Sequence, residues 1–226
     1  SKCDGNFDDE INGLDGTATN TTTVTGIDND GLSTNGSTAY MQIDSADIPN
    51  ITNAYTFSFW FKSNTGSVSG FPVFFQIGDG SNGNEILFQN RGGNESAFGL
   101  IHGNSLLSGT TFSTTGNVVH DTNFHHLVLT YDGSTAKLYV DGVEEGSVSD
   151  SSIFNFGTSN MYVSCYARNF NSNLDNFMNG VFDEFGIWTR ALSLSEVQSI
   201  YNSGTGSFPN FGTVGEIKLI KCAYNT

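Results

Sequence analysis

Two neighbouring carboxylates, Asp183 and Glu184, interrupt the apolar run GVFDEFGIW at residues 180–188. Acids this close suggest either acid–base cleavage of a glycosidic bond or capture of a cation. Cleavage requires both acids in one cleft, about 5 to 10 Å apart. The run alternates like a β-strand, in which successive side chains point to opposite faces. Asp183 and Glu184 are therefore expected on opposite faces, where they cannot work as a catalytic pair, and Glu184 is expected to pair with Arg190 or His126. Two further close pairs, Asp8 with Glu10 and Asp28 with Asp30, lie in Gly- and Asn-rich surroundings and read as loop acids.

Other motifs fail on spacing. GIDNDGLSTNGS has the acids of an EF-hand, but Gly26 stands at its first ligand position and Ser37 where a bidentate Glu is needed. GDGSNG at 78–83 matches G-x-G-x-x-G, yet NEILFQN after it reads as a strand, whereas a dinucleotide site needs a helix there. His125 and His126 are strand neighbours that face opposite ways, and His102 and His120 have no Cys or His at ligand spacing, so no zinc site is expected. No G-x-S-x-G elbow is present. Cys165 alternates with Met161 and Val163 and reads as a buried small hydrophobe.

The elements that must position these residues are strands and turns. The 226 residues include 27 Gly, 19 Phe and only 3 Pro, and solvation falls to neutral Asn, Ser and Thr more than to charge. Eight basic against 23 acidic residues give a net charge of −15, which repels polyphosphate and anionic lipid. Nucleic acid and membrane surfaces are not expected partners, and no apolar stretch approaches the roughly 18 residues of a membrane span. The opening SKCDG resembles neither an initiator nor a signal peptide, so the chain is expected to be a mature or excised domain. Sequons at Asn20, Asn35, Asn50 and Asn94 are compatible with secretion.

Period-two alternation recurs from end to end. YTFSFWFK puts Tyr55, Phe57, Phe59 and Phe61 on one face and Thr56, Ser58, Trp60 and Lys62 on the other, a half-buried strand. Further strands are expected at AYMQI, FPVFFQIG, NEILFQN, FGLIHG, NMYVSCYA, GVFDEFGIW and EIKLIKCAY. HHLVLTYDGSTAKLYVDG is a hairpin about Asp132-Gly133, ending at Asp141-Gly142, since Gly accepts positive φ at no steric cost. One helix is expected near 193–202: Ser193 and Glu196 make a capping box, Leu194, Val197, Ile200 and Tyr201 follow at helical spacing, and Gly204 is the stop. Many short strands with one short helix predict an all-β fold, an antiparallel two-sheet β-sandwich of jelly-roll type. It is expected to be one domain over 1–226, with 205–226 a C-terminal strand extension. Termini of antiparallel sandwiches commonly lie side by side, so Cys3 and Cys222 are expected to form a disulfide in an oxidising compartment.

NFHHLVLTYDGSTAKLYVDG resembles the Trp-His-His…Tyr-Asp-Gly…Leu-Tyr-Val-Asn-Gly hairpin of laminin G-like, concanavalin A-like lectin-glucanase domains. GVFDEFGIWTRALSLSEVQSIYNSG resembles their closing signature, and weaker likenesses extend the match over roughly residues 8 to 204. Phe124 replaces the usual Trp of the hairpin, and Asn35 the usual Asp of the early turn. The resemblance implies two curved antiparallel sheets and recognition of a glycan or protein at the rim. Glycanases of this fold carry three alternating acids on one strand, and its alginate lyases carry Gln-x-His; the first set is absent here, and FFQIGDG has Gly where His would stand. For Asp183 the resemblance implies a structural Ca²⁺, with Asp9 or Asp8 and carbonyls around Gly36 as co-ligands.

Sugar recognition uses aromatic faces and planar polar groups. Trp60, Tyr139, Tyr166, Arg168, Asn169 and Asn171 are of the right types, with Asp175 in the same loop. The expected function is a non-catalytic module, secreted or on a cell or particle surface, that binds a carbohydrate or an extracellular partner protein. The alternatives are a structural or adhesive assembly module and a polysaccharide-active enzyme.

Overall fold

A computed structural model describes residues 6–7, 16–27, 30–66, 70–78, 85–91, 97–102, 105–106, 112–115, 121–151, 159–168, 173–206 and 217–220. Cys3, Asp8, Asp9, His120, Asn169, Asn171 and Cys222 lie outside the described residues. All strand pairs described are antiparallel, in two large sheets and one separate two-stranded hairpin. Sheet A runs, edge to edge, Asn6–Phe7, Gly16–Thr19, Tyr40–Ile43, Met161–Val163, Val73–Ile77, Ile86–Asn90, Ala97–His102 and Ser105–Leu106, with Phe112–Ser113 also paired to Ala97–His102. Sheet B runs Val143–Ser149, Thr135–Val140, His125–Tyr131, Tyr55–Ser63, Gly180–Trp188, Asp30–Ser33 and Thr22–Thr25. Ile217–Ile220 joins Gly180–Trp188 beyond Phe182, pairing with Phe185–Trp188. The chain is the all-β jelly-roll sandwich expected from its alternation.

The core between the sheets is largely aromatic. Phe57, Phe59 and Phe61 from sheet B meet Phe74, Phe75 and Phe88 from sheet A, and Phe59 stacks on Phe185 with centroids 5.4 Å apart. Offset and edge-to-face packing of this kind contributes about 0.5–1.5 kcal/mol per pair beyond area burial.

Tyr55–Ser63 departs from the half-buried strand expected, because Thr56, Ser58 and Trp60 on its outer face are buried as well. The covering element is the helix Leu194–Tyr201. Its Val197 and Ile200 pack with Leu192 on Val128, Tyr139 and Trp188 of sheet B, and Tyr201 stacks on Trp60. Ser193 and Glu196 form the expected capping box. Arg190 closes it with two bonds to Glu196, at 2.9 and 2.6 Å, and holds that carboxyl down to about 2. The hydroxyl of Thr56 donates to Arg190 O and accepts from Leu192 N, tying the approach to the helix onto the sheet. The helix ends at Asn202 in the left-handed region (φ 46), two residues before the stop expected at Gly204. A second departure lies in NMYVSCYA, where Ser164 (φ 78) divides Met161–Val163 from Tyr166–Arg168. The second piece pairs with Asn173–Asp175 in a hairpin of its own.

Ile200→Ala is expected to lower the unfolding free energy by about 2–5 kcal/mol, read from urea denaturation, because it opens a cavity between helix and sheet.

Candidate ligand-binding face

The hairpin Tyr166–Arg168/Asn173–Asp175 lies on the outer face of sheet A. Gln76, fully buried, holds it there: its Oε1 accepts from Ala167 N at 2.6 Å and its Nε2 donates to Ala167 O at 3.1 Å. One side chain thus makes both bonds of a backbone pair, and the Gln of FFQIGDG is spent on the fold. Cys165 packs with Tyr162 and Ala167 under this hairpin, and burial pushes its thiol up to about 12, as befits a small hydrophobe.

Beside the hairpin the outer face is read off the strand register. Phe88, Phe98 and Leu100 point into the core. Their neighbours Leu87, Gln89, Gly99 and Ile101 therefore point outward, with Leu87 opposite Ile101 and Gln89 opposite both Gly99 and Val73. Tyr166 packs on Val73, Leu87 and Ile101. The guanidinium of Arg168 lies over its ring at 4.4 Å and its Nε donates to Asp175 at 2.8 Å. One step further along, Arg91 lies over Gly99, where a β-carbon would stand 3.1 Å from Arg91 Cγ and in collision with its Cδ. Its guanidinium stacks on Phe71 at 5.2 Å. Phe71 is 47% exposed, one of the few large apolar side chains on the described surface. Two arginine–aromatic stacks thus flank Val73, Gln89 and Gly99 on one sheet face. Phe71, Gln89 and Arg91 were not expected from sequence, although Gly99 inside a strand is a sign of close approach.

Trp60 and Tyr139 are corrected. They are 1% and 3% exposed, with Trp60 under Tyr201 and Tyr139 in the cluster beneath the helix, so neither offers a face to a ligand. Tyr166 and Arg168 lie together on the outer face of sheet A, where Tyr166 is buried between Val73, Leu87, Ile101 and the Arg168 guanidinium, and Arg168 is exposed.

The reading of Asp183 and Glu184 as opposed strand neighbours is corrected too. The pairing with Tyr55–Ser63 shifts register between Asp183 and Gly186, and Glu184 takes φ 51. Phe182, Phe185 and Ile187 all point into the core, so the inward place after Phe182 goes to Phe185 and Glu184 is the extra residue of a bulge. Its expected partners are engaged elsewhere: Arg190 on Glu196, and His126 Nε2 on Ser58 Oγ at 2.8 Å. That Ser–His contact has no access to a substrate, since both residues are fully buried and burial lowers the imidazole to about 3, which keeps it neutral.

Asp183 anchors backbone. Its Oδ2 accepts from Ile27 N at 2.7 Å and its Oδ1 from Glu184 N at 2.9 Å. The missing side chain of Gly26 makes room, because a β-carbon there would collide with Oδ2. N–H groups turned toward both oxygens would also turn toward a cation. Gly36 sits beside Asn179, its N–H on Met178 O, four residues and roughly 13 Å along the strand direction from Asp183. Asp183 and Gly36 thus lie apart, the expected co-ligands Asp8 and Asp9 lie outside the described residues, and the described residues contain no group of three acids, His or Cys fit to hold a metal.

His125 forms a clasp at the sandwich rim. Its Nδ1 meets Asp141 Oδ2 at 2.7 Å and its Nε2 meets Asp121 Oδ2 at 3.0 Å. The bond to Asp141 raises its pKa, burial opposes this, and Asp121 adds to the rise. Both ring nitrogens can donate only when the ring is protonated.

In overall class the molecule is a lectin-like β-sandwich with an aromatic and arginine-bearing sheet face. Residues 35–198 match the concanavalin A-like lectin/glucanases superfamily, in its laminin G-like branch, and the chain belongs to that family. Among solved structures, it resembles the binding domain of Paraclostridial Mosquitocidal Protein 1 with TM-score 0.65 and 17% identity. That match covers 85% of this chain and 48% of the other, so this chain spans about half of that domain. Domain 4 of the extracellular arabinanase AbnA from Geobacillus stearothermophilus, solved with arabinotriose, matches with TM-score 0.59 and 18% identity over 81% of this chain and 86% of its own. The CBM40 of Ruminococcus gnavus IT-sialidase, bound to α2,3 sialyllactose, matches with TM-score 0.59 and 15% identity over 76% and 96%. At these identities the likeness is one of fold. No curated protein matches the chain in sequence.

Asp183→Ala is expected to cost about 1–3 kcal/mol in urea denaturation by stranding Ile27 N–H, and chelating Ca²⁺ from the unsubstituted protein is expected to leave its melting midpoint in place. The clasp has a definite pH sign: a raised pKa in the fold gives stability that is complete below the unfolded value of about 6.5 and lost as pH rises through the folded value. Unfolding free energy measured from about pH 6.5 upward should fall more steeply for the unsubstituted chain than for His125→Gln.

Proposed function

We propose that this chain is a non-catalytic carbohydrate-binding module that holds its ligand on the outer face of sheet A. The observation that carries this reading is the exposed ring of Phe71 beside Arg91, Gln89 and Gly99, with Tyr166 and Arg168 at the hairpin edge. Sugars present apolar C–H faces that stack on aromatic rings and hydroxyls that planar amide and guanidinium groups can bond. Such a platform is ready before the ligand arrives, since Gln76 fixes the hairpin and the aromatic stacks hold both arginines.

Similar structures support a binding rather than a catalytic role: one carries arabinotriose, another sialyllactose, and a third is the binding domain of a toxin. The Asn-, Ser- and Thr-rich composition and the four sequons support a place outside the cell. A partner protein is the second reading, favoured by the same exposed aromatic, since interfaces concentrate aromatic and arginine side chains.

Phe71→Ala is expected to weaken glycan binding about tenfold or more in calorimetric titration, with the melting midpoint unchanged because half of the ring is in solvent. Undiminished binding by that variant would move the site elsewhere on the molecule.

A further inference from the structure

We infer that the ligand is an acidic saccharide and that Arg91 reads its carboxylate; this rests on the sheet A face being the binding face. The two arginines of the face differ in one respect. Arg168 is neutralised by Asp175 at 2.8 Å. Arg91 has no carboxylate partner among the described residues, in a chain whose acids outnumber its bases 23 to 8. Among the described residues Lys62 and Arg91 carry no carboxylate partner, and of these Arg91 is the one whose guanidinium lies beside the half-exposed ring of Phe71 on this face, where it offers a positive site to a ligand of opposite charge.

The side chain is also held in place. Gly99 removes the β-carbon that would collide with Arg91 Cδ, so the stem lies flat on the sheet, and Phe71 supports the guanidinium from the side. Little rotamer freedom is then left to lose on binding. A planar guanidinium takes a carboxylate through two parallel hydrogen bonds, which a hydroxyl cannot match. Gln89, opposite Gly99 in the register, is buried beside the Arg91 stem and helps to seat it on the sheet.

The net charge of −15 sets the size of the anion. Repulsion from the whole protein acts over the screening length of about 8–10 Å, so it opposes a dense polyanion far more than one carboxylate bound in contact. The class that fits is a mono- or sparsely carboxylated glycan, such as an oligosaccharide ending in a uronic or sialic acid, rather than a highly sulfated chain.

The test titrates the protein with paired oligosaccharides: sialyllactose against lactose, and uronic-acid oligomers against their carboxyl-reduced forms. One carboxylated member should bind about ten- to a hundredfold tighter than its neutral partner. Arg91→Gln should erase that preference, costing the carboxylated member far more than the neutral one, and Arg91→Lys should retain part of it. Equal binding of both members, an equal loss for both in Arg91→Gln, or tighter binding of sulfated chains overturns the inference while leaving the sheet A face intact as a sugar site. Glycan binding untouched by Phe71→Ala moves the site off this face and overturns the inference, and capture of acidic peptides in place of any glycan overturns the carbohydrate reading and the inference together.

Discussion

Burial of both faces of the strand Tyr55–Ser63 is the constraint on which the rest of the structure depends. Its inner face supplies Phe57, Phe59 and Phe61 to an aromatic interlock with sheet A. Its outer face is sealed by a helix of eight residues, the one α-helix among the described residues. A helix this short is unstable in water by itself. It is held by Val197 and Ile200 against the sheet, by Tyr201 on Trp60, and by a capping box tightened through Arg190. The aromatic ring best suited by type to stack on a sugar is thereby withdrawn into the interior.

On the outer face of sheet A, Phe71 and Arg91 remain in contact with solvent. There a two-stranded hairpin covers part of the surface and stops short of the rest. Gln76 decides where it stops, because one buried amide that satisfies both Ala167 backbone groups fixes the hairpin in position and register. A buried amide left without these partners would cost more than a single hydrogen bond returns, so hairpin and strand are set together. Beyond its edge Phe71 and Arg91 remain at the surface.

The bulge at Asp183–Gly186 shows the same coupling on the other sheet. Gly180–Trp188 must place Phe182, Phe185 and Ile187 in the core, and that spacing cannot be met by strict alternation. Glu184 takes up the extra residue at φ 51, and the preceding carboxylate turns to the backbone of Ile27. The adjacent acids serve the geometry of the strand, and the catalytic reading of them ends there.

Local periodicity determined much of this protein. The alternation of YTFSFWFK, the Asp-Gly turns of the long hairpin, the capping box at Ser193 and the chemistry of Cys165 are all set by near neighbours, so the sequence alone was enough to read the sandwich, its central strands and its helix, though not the strands Gly16–Thr19, Thr22–Thr25, Asp30–Ser33 and Val143–Ser149. What alternation cannot express is which of two faces a distant element covers. Trp60 and Tyr139 have the composition of a sugar platform and lie beneath a helix that begins more than fifty residues later. Phe71 and Arg91 look unremarkable in sequence and meet at the surface because the strands before and after the loop between them pair antiparallel. Side-chain type was a local property that the sequence carried in full. Exposure depended on contacts between residues far apart in the chain, and only the tertiary structure decided it.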